Sequence, residues 1–402
     1  MTSSYERQPG LARLLLLTAI LFVGYLCVAI PLPSVPVYVT ATLGLDNAWA
    51  GLAVGVAFFA TILTRGRAGA FTDHHGAKAA VWRGLSLYAA GSLIALVAGA
   101  WSSQPWLAYG VLLLGRLVLG LGESLVGVGV ISWGVGMVGP AQSGKVLALV
   151  GAAIYGALAI GGPIGLLVLD HAGFTGAMLL SAVLPCLGLI AIWRMHGIAP
   201  HPQADRPPLS AVIRRIWMHG MVVCLQGIGF AAIGAFFALY FMHRQWMHAG
   251  LGLTAFGTGF VLVRLCLGHL PDRIGGLPIA IGSLVVEAIG QAMIWSAHDP
   301  LLALAGAFLT GLGCSMVFPA MGREVVHLVQ PHLRGTALGA YSAFQDLAYG
   351  LTGPVAGLLA DRAGYDSVFL IGSAAALAGL CMAIYLRFRA LAAAEASTRP
   401  LV

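Results

Sequence analysis

The chain has 402 residues, of which 59% are hydrophobic and only 9% are charged. A soluble domain carries about 25% charged residues, so this composition excludes a water-soluble globular fold and places most of the chain in lipid. The net charge of +7 would by itself suit a nucleic-acid-binding protein, but the positions of the basic residues indicate a different cause.

Apolar stretches long enough to cross a bilayer recur along the whole chain. A bilayer core needs about 20 such residues per helix. We predict twelve transmembrane helices, at residues 12–34, 48–68, 79–100, 107–131, 146–168, 174–193, 216–240, 251–270, 277–297, 301–322, 336–359 and 367–386. A Pro-rich polar segment divides them into an N-terminal six-helix bundle at 1–193, a cytoplasmic linker at 194–214 and a C-terminal six-helix bundle at 215–402. The predicted fold class is an all-α membrane protein.

The basic residues fall mainly on one side of these predicted helices. Eighteen of the 21 Lys and Arg residues lie on the side of the N-terminus, Arg116 lies within a helix, and only Arg244 and Arg362 lie opposite. Cytoplasmic loops of membrane proteins carry such an excess of Lys and Arg. We therefore expect a multi-pass protein with both termini in the cytoplasm and no nucleic-acid partner.

The two halves of the sequence repeat one another. Four residues of the first half recur 199 positions later, namely Arg65, Gly69, Asp73 and Gly76 as Arg264, Gly268, Asp272 and Gly275. A second set recurs 191 positions later and includes Gly162 and Pro163, which match Gly353 and Pro354. Two bundles repeated in parallel are typical of transporters whose halves rock around a central site.

Several motifs fall within this repeat. They are GAFTDHHGAK from Gly69 to Lys78, its copy GHLPDRIGG from Gly268 to Gly276, RLVLGLGES from Arg116 to Ser124, GGPIG from Gly161 to Gly165, and GPVAG from Gly353 to Gly357. In combination they resemble the signature loop, the helix-4 motif and the antiporter Gly-Pro motif of the major facilitator superfamily. The chain also resembles the bacterial arabinose-efflux-permease-like branch of that family.

The resemblance implies a latch that closes the cytoplasmic side of a transporter. An acid in the signature loop can bond an Arg or the positive N-terminal end of a nearby helix. The latch residues would be Gly69, Asp73, Gly76, Lys78 and Arg65 in the first half, with Gly268, Asp272, Arg273, Gly275 and Arg264 in the second. The alternative is a cytoplasmic loop with ordinary solvated charges.

Four ionisable residues lie deep within the predicted spans, away from the ends: Arg116, Glu123, Glu287 and Asp346. Each costs about 2.5–3.5 kcal/mol at the centre of a membrane helix. Arg116 and Glu123 are seven residues apart and share one helix face. Removal from water favours the protonated form of a carboxyl group, so a buried acid can take up and release a proton. The resemblance implies that the fourth and eleventh predicted spans border a central substrate cavity. This favours Asp346 and Glu123 for proton coupling or substrate binding.

The same resemblance places helix 9 at the periphery, so Glu287 is expected to be a structural hydrogen-bond partner. For all four residues the alternative is interhelical packing with satisfied charges. Tyr25, Trp133, Tyr155 and Gln226 are further candidates to line the cavity, although ordinary packing would explain each of them.

Other site classes find no support in the sequence. The stretch GPAQSGKV has Val146 where a nucleotide-binding loop needs Ser or Thr, and no buried strand precedes it. The twelve His residues show no metal-ligand spacing. We therefore expect no metal, no cofactor other than protons as coupling ion, and no enzymatic activity.

These features predict a proton-coupled efflux antiporter for a small organic solute in the bacterial inner membrane, acting as a monomer by alternating access. Two alternatives remain. One is uptake of a small solute by proton symport or facilitated diffusion. The other is a membrane sensor or receptor built on a transporter scaffold.

Overall fold

The computed structural model describes residues 9–139, 142–198, 209–330 and 334–398. The chain divides into two compact units, Met1–Ala204 and Asp205–Val402, which we call unit 1 and unit 2. Within the described residues every regular element is a helix.

Unit 1 begins with a broken helix. The helix α1 (Pro9–Ala29) is followed by α2 (Pro31–Val37) and a π-helical turn, Tyr38–Thr42. Pro31, Pro33 and Pro36 cannot donate backbone hydrogen bonds, which explains the interruption. The remaining helices of unit 1 are α3 (Asn47–His75), α4 (Ala77–Ala100), α5 (Pro105–Val138) and α6 (Ser143–Trp193).

Seven helices lie within the described residues of unit 2. They are α7 (Leu209–His243), α8 (Leu251–Leu267), α9 (Leu270–Ile274), α10 (Gly276–Trp295), α11 (Pro300–Leu328), α12 (Arg334–Ala363) and α13 (Asp366–Thr398). Beyond the membrane segment, Arg244 Nη2 donates hydrogen bonds of 3.0 and 3.1 Å to the Asp366 carboxylate, which ties the end of α7 to the start of α13.

The helices match the predicted spans. Nine described segments are long and apolar enough to cross a membrane, and one of them, Lys145–Trp193, has 49 residues, enough for two crossings. It bends at Gly173, whose φ of 66° is favoured by glycine. The α8 helix is shorter, and α12 is less apolar because it carries polar residues such as Gln345 and Asp346. Large apolar side chains such as Leu63 and Leu301 are 76% exposed, as expected in lipid. The predicted all-α membrane fold is confirmed.

The sequence repeat has a direct counterpart in the packing of each unit. In unit 1, Ser124 Oγ donates a 2.8 Å hydrogen bond to the carbonyl oxygen of Thr61. In unit 2, Ser315 Oγ donates a 2.8 Å hydrogen bond to the carbonyl oxygen of Phe260. Ser315 follows Ser124 by 191 positions and Phe260 follows Thr61 by 199, so the two offsets found in the sequence relate equivalent contacts.

A second pair of contacts repeats with the same offsets. The α4 and α5 helices approach closely where Gly115 opposes Gly91, and α10 and α11 do so where Gly306 opposes Gly290. A Cβ atom added at Gly115 or at Gly306 would lie 2.6 Å from the carbonyl oxygen of the opposing glycine. Equivalent helices are therefore packed in the same register in both units.

Candidate functional site

Arg116 lies in the interior of unit 1. Its side chain is only 2% exposed. Its Nε donates a 3.1 Å hydrogen bond to the carbonyl oxygen of Ala53, and its Nη2 donates a 3.4 Å hydrogen bond to that of Val54, both on α3. Its Nη1 has no hydrogen-bond partner within the described part of the chain. The guanidinium thus binds α5 to α3 and keeps one donor for another group.

Glu123 lies on the same face of α5, as the seven-residue spacing predicts. The Tyr25 hydroxyl on α1 donates a 3.2 Å hydrogen bond to Glu123 Oε1. Arg116, Cys27 and Tyr88 are close enough to interact electrostatically with this carboxyl group. The structure therefore brings three predicted site residues, Arg116, Glu123 and Tyr25, into one polar cluster, which we call the unit 1 cluster and to which Cys27 and Tyr88 also belong.

Asp346 lies in α12 of unit 2 and is 9% exposed. The other predicted residues of unit 2 lie on different helices, with Glu287 on α10 at 0% exposure and Gln226 on α7 at 2%. Gln291 Nε2, one turn beyond Glu287, donates hydrogen bonds of 3.2 Å to the carbonyl oxygen of Gly229 and 3.3 Å to Thr310 Oγ1. Unit 2 therefore has its own buried polar group of side chains.

The remaining aromatic candidates occupy different environments. Trp133 is 0% exposed and packs in the apolar core of unit 1, which favours a packing role. Tyr155 on α6 is half-buried. Their assignment to a cavity wall stays a prediction.

The signature loop of unit 1 turns between α3 and α4 at Gly76, whose φ is 87°. Asp73 and Arg65 are half-buried, as is Gly69. Lys78 Nζ donates hydrogen bonds to the carbonyl oxygens of Trp193 and Met195, at the end of α6. Lys78 therefore compensates the negative end of a helix, a partner that the sequence did not indicate.

In unit 2 the corresponding turn lies at Gly275, whose φ is 101°. Arg264 is half-buried with its guanidinium 5.3 Å from the centre of the Phe260 ring. Gly268 and Arg273 are exposed. The side chain of Asp272 lies outside the described part of the chain, so its predicted latch role stays a prediction.

An acid that the sequence reasoning missed occupies the start of α10. Glu324 Oε1 on α11 accepts a 2.8 Å hydrogen bond from the backbone N–H of Gly276, and Arg323 Nη1 lies 3.2 Å from the same oxygen. An acid at a helix N-terminus was expected from the loop residue Asp272, but here the residue comes from a helix 48 positions later in the chain. No local pattern in the sequence marks that contact.

The Gly-Pro motif from Gly161 to Gly165 lies where α6 packs against the break between α1 and α2. A Cβ atom added at Gly161 would lie 2.5 Å from Ala29 Cβ, and one added at Gly165 would lie 2.9 Å from Ser34 Oγ. Gly162 is buried between them and Pro163 is half-buried. The motif therefore lets α6 approach the first span closely. Its counterpart in α12 has the same pattern, with Gly353 buried and Pro354 half-buried.

Comparison with known proteins gives the family. The family model described as Major Facilitator Superfamily matches residues 17–249 and 220–399. An uncharacterized MFS-type transporter of Salmonella typhimurium is 44% identical over 363 residues, 90% of this chain and 93% of that protein. One from Pseudomonas aeruginosa is 42% identical over 92% of this chain and 91% of its own length.

Solved structures agree with the sequence comparison on the fold. A D-xylose–proton symporter is similar with a TM-score of 0.77 and 16% identity, over 92% of this chain and 97% of its own. The nucleoside transporter NupG is similar with a TM-score of 0.73 and 15% identity, over 92% and 99%. The two matches to one family model, the relatives and the repeated helix packing together establish that this chain belongs to the major facilitator superfamily of membrane transporters.

Proposed function

We propose that the protein exports a small organic solute in exchange for protons. The observation that carries the proposal is the unit 1 cluster, in which Glu123 shares a helix face with the buried Arg116 and accepts a hydrogen bond from Tyr25. Ionisable groups inside a membrane protein are costly and mark ion or substrate pathways. A carboxyl group next to a cation can exist in both protonation states, because the cation favours the ionised form and burial favours the neutral one.

Asp346 is the second group that we propose for coupling or substrate binding. It is an acid within a membrane-spanning helix of unit 2 and is 9% exposed. A transporter that exchanges a proton for a solute needs a carboxyl group that is protonated when open to one side and ionised when open to the other. Glu123 and Asp346 would supply that group, one in each unit.

The Gly-Pro motif of α6 supports export rather than uptake, because this motif resembles the one found in antiporters of the family. Uptake by proton symport is the second candidate, since the chain shares its fold with a D-xylose–proton symporter. A sensor or receptor would bind a solute without moving it across the membrane.

The test begins with a screen for solutes that accumulate in cells lacking the protein and become depleted in cells that overproduce it. The solute found is then offered to inverted membrane vesicles with an imposed proton gradient. Export with proton exchange predicts uptake into these vesicles that stops when a protonophore is added. Vesicles without the protein are the control. Uptake that is unaffected by the protonophore would contradict proton coupling, and movement in the opposite direction would favour the symporter.

We also propose that the protein lies in the bacterial inner membrane with both termini in the cytoplasm and works as a monomer. The distribution of Lys and Arg supports the orientation, and the bacterial relatives support the membrane.

A further inference from the structure

Glu287 is a fully buried carboxyl group among the polar side chains of unit 2. It is 0% exposed on α10, and within the described part of the chain neither carboxyl oxygen has a nitrogen or oxygen hydrogen-bond partner, while the Cys314 thiol is the hydrogen-bonding group beside it. Its neighbours Gln291 and Ser373 do form interhelical hydrogen bonds, the latter from Ser373 Oγ to the carbonyl oxygen of Ala288 at 2.9 Å. The structural hydrogen-bond role expected for Glu287 from the sequence has only the Cys314 thiol as its partner and stays a prediction.

The surroundings of Glu287 contain no compensating charge. A Cβ atom added at Gly229 on α7 would lie 2.6 Å from Glu287 Oε1, so α7 presents only backbone there, with Gln226 one turn earlier. From α11 the titratable neighbour is the Cys314 thiol. From α13, Gly372 and Ser373 pack against α10. Among the described residues, none of these helices places a cation beside the carboxyl group.

The internal repeat relates Glu287 to a residue of the unit 1 cluster. With the offset of 199 it corresponds to Tyr88 on α4, and with the offset of 191 its neighbour Cys314 corresponds to Glu123 on α5. A Cβ atom added at Gly122 would lie 2.9 Å from Tyr88 Cδ1, and one added at the equivalent Gly313 would lie 2.7 Å from Glu287 Cβ. The contact between the two helices is thus the same in both units.

Each unit therefore carries one acid at this contact, but on opposite helices of the pair. In unit 1 the acid is Glu123 on the later helix, facing Tyr88. In unit 2 it is Glu287 on the earlier helix, facing Cys314. The acid therefore lies at the same helix contact in both units, but the helix that carries the carboxyl group differs. A residue kept only for helix packing would not need the carboxyl group at this contact in both units.

We propose that Glu287 is a proton-binding site of unit 2, equivalent in position to Glu123 of unit 1, so that the transporter has a matched pair of proton sites. The proposal rests on the proton coupling proposed above. An uncompensated carboxylate in a protein interior is strongly disfavoured, so Glu287 holds a proton while it is enclosed. It releases that proton to water when the surrounding helices open, and the carboxylate takes one up again on the other side.

Infrared spectroscopy of the full-length protein in lipid nanodiscs tests this without knowledge of the solute. Protonated carboxyl groups absorb separately from ionised ones, so a titration from acidic to alkaline buffer shows which of them lose protons. We expect Glu287→Gln to remove one titrating carboxyl band and Glu123→Gln to remove a different one. Identical titrations for the wild-type protein and Glu287→Gln would overturn the proposal.

A composition-conserving exchange provides the matched variant. In Glu287→Cys/Cys314→Glu the acid moves to the helix that carries it in unit 1. We expect the titrating band that Glu287→Gln lacks to be present in this variant, while Glu287→Cys alone lacks it. If the exchanged protein is monodisperse and the band is absent, position in the bundle does not define the site. The exchange also tests the site if Glu287→Gln fails to insert.

Transport then separates this proposal from the proposed function. Where wild-type vesicles exchange protons for solute, Glu287→Gln should lower the number of protons moved per solute. An unchanged ratio would overturn the role of Glu287 in coupling. If wild-type transport ignores the proton gradient, proton-coupled export fails, and the infrared titration alone decides whether Glu287 binds a proton.

Discussion

The hydrogen bond between Tyr25 and Glu123 links the first span of unit 1 to α5. A hydrogen bond donated to a carboxylate favours its ionised form. The Tyr25→Phe variant removes only the hydroxyl group, so the proton-bound form of Glu123 gains relative to the ionised one. We expect export to reach half its maximum at a higher pH than in the wild type, by less than about one pH unit because a single hydrogen bond of about 1 kcal/mol is lost.

This shift is measured as the pH dependence of solute uptake into inverted vesicles. Tyr385→Phe, at an exposed tyrosine on α13, is the matched control for loss of a hydroxyl group. A profile for Tyr25→Phe that coincides with the wild-type profile would show that Glu123 does not set the pH dependence.

Arg116 is buried and Glu123 is half-buried, and the two side chains are close enough to interact electrostatically. Removal of one charge from an interacting pair inside a protein leaves the other without compensation, whereas removal of both is better tolerated. We expect Arg116→Leu to lower the free energy of unfolding by about 3 kcal/mol, and Arg116→Leu/Glu123→Leu to lower it less. Thermal unfolding in detergent gives the comparison. If the loss of unfolding free energy in the double variant equals the sum of the losses in Arg116→Leu and Glu123→Leu, the two residues do not interact.

The sequence predicted this cluster only in part. Arg116 and Glu123 lie on one helix, where a spacing of seven residues defines a shared face. The approach of Tyr88, Cys27 and Tyr25 depends on how α1, α4 and α5 pack. Nothing local to those residues distinguishes them from other residues of an apolar helix.

Among the elements, the contact between α4 and α5 depends on glycines that let the two backbones approach. A Cβ atom at Gly115 would lie 2.6 Å from the carbonyl oxygen of Gly91 and 2.8 Å from the backbone nitrogen of Ala95. We expect Gly115→Ala to separate the helices and to lower the free energy of unfolding by about 1–3 kcal/mol.

Gly127 provides the matched control on the same helix. No heavy atom lies within 4 Å of a Cβ added there, so Gly127→Ala should leave stability unchanged or raise it slightly through better helix propensity. Fluorescence-detected size-exclusion chromatography after heating measures both variants. Equal melting temperatures for the two would show that the close approach does not limit stability.

The elements were predicted well where the apolar run is continuous and less well where it is interrupted. The run at 12–34 was predicted as one span, but the prolines between Pro31 and Pro36 divide it into two helices and a π-helical turn. The predicted spans at 146–168 and 174–193 are confirmed as two helical segments, which meet at the non-helical residue Gly173 within α6. The α5 helix extends to Val138, beyond the predicted end at residue 131, because hydropathy reports the lipid-buried length and not the end of the helix.

At the scale of the whole molecule, the repeat determines the fold more strongly than any single motif does. The offsets of 199 and 191 relate Ser124 to Ser315 and Gly115 to Gly306 in their contacts as well as in sequence. The two units differ in their charged residues. At equivalent positions, Arg116 of unit 1 corresponds to Ala307 of unit 2. Likewise, Glu324 of unit 2 corresponds to Trp133 of unit 1. A duplicated scaffold thus carries different chemistry in each half.

The orientation of that scaffold gives the last prediction. The Lys and Arg distribution predicts that the loop between α4 and α5 lies outside the cell and the end of α6 in the cytoplasm. Gln104 and His196 are exposed in these two places. In a background without the native cysteines, a membrane-impermeant maleimide should label Gln104→Cys in intact spheroplasts and His196→Cys only after permeabilisation.

The native cysteines must be replaced because three of them, Cys186, Cys266 and Cys381, are exposed on the protein surface. Labelling of both sites after permeabilisation shows that both cysteines can react. Because the predicted topology has an even number of spans before the linker, the opposite labelling pattern would invert every loop at once. It would then place the signature loops and Lys78 outside the cell, and the proposed cytoplasmic latch would be excluded while the helix packing remained the same.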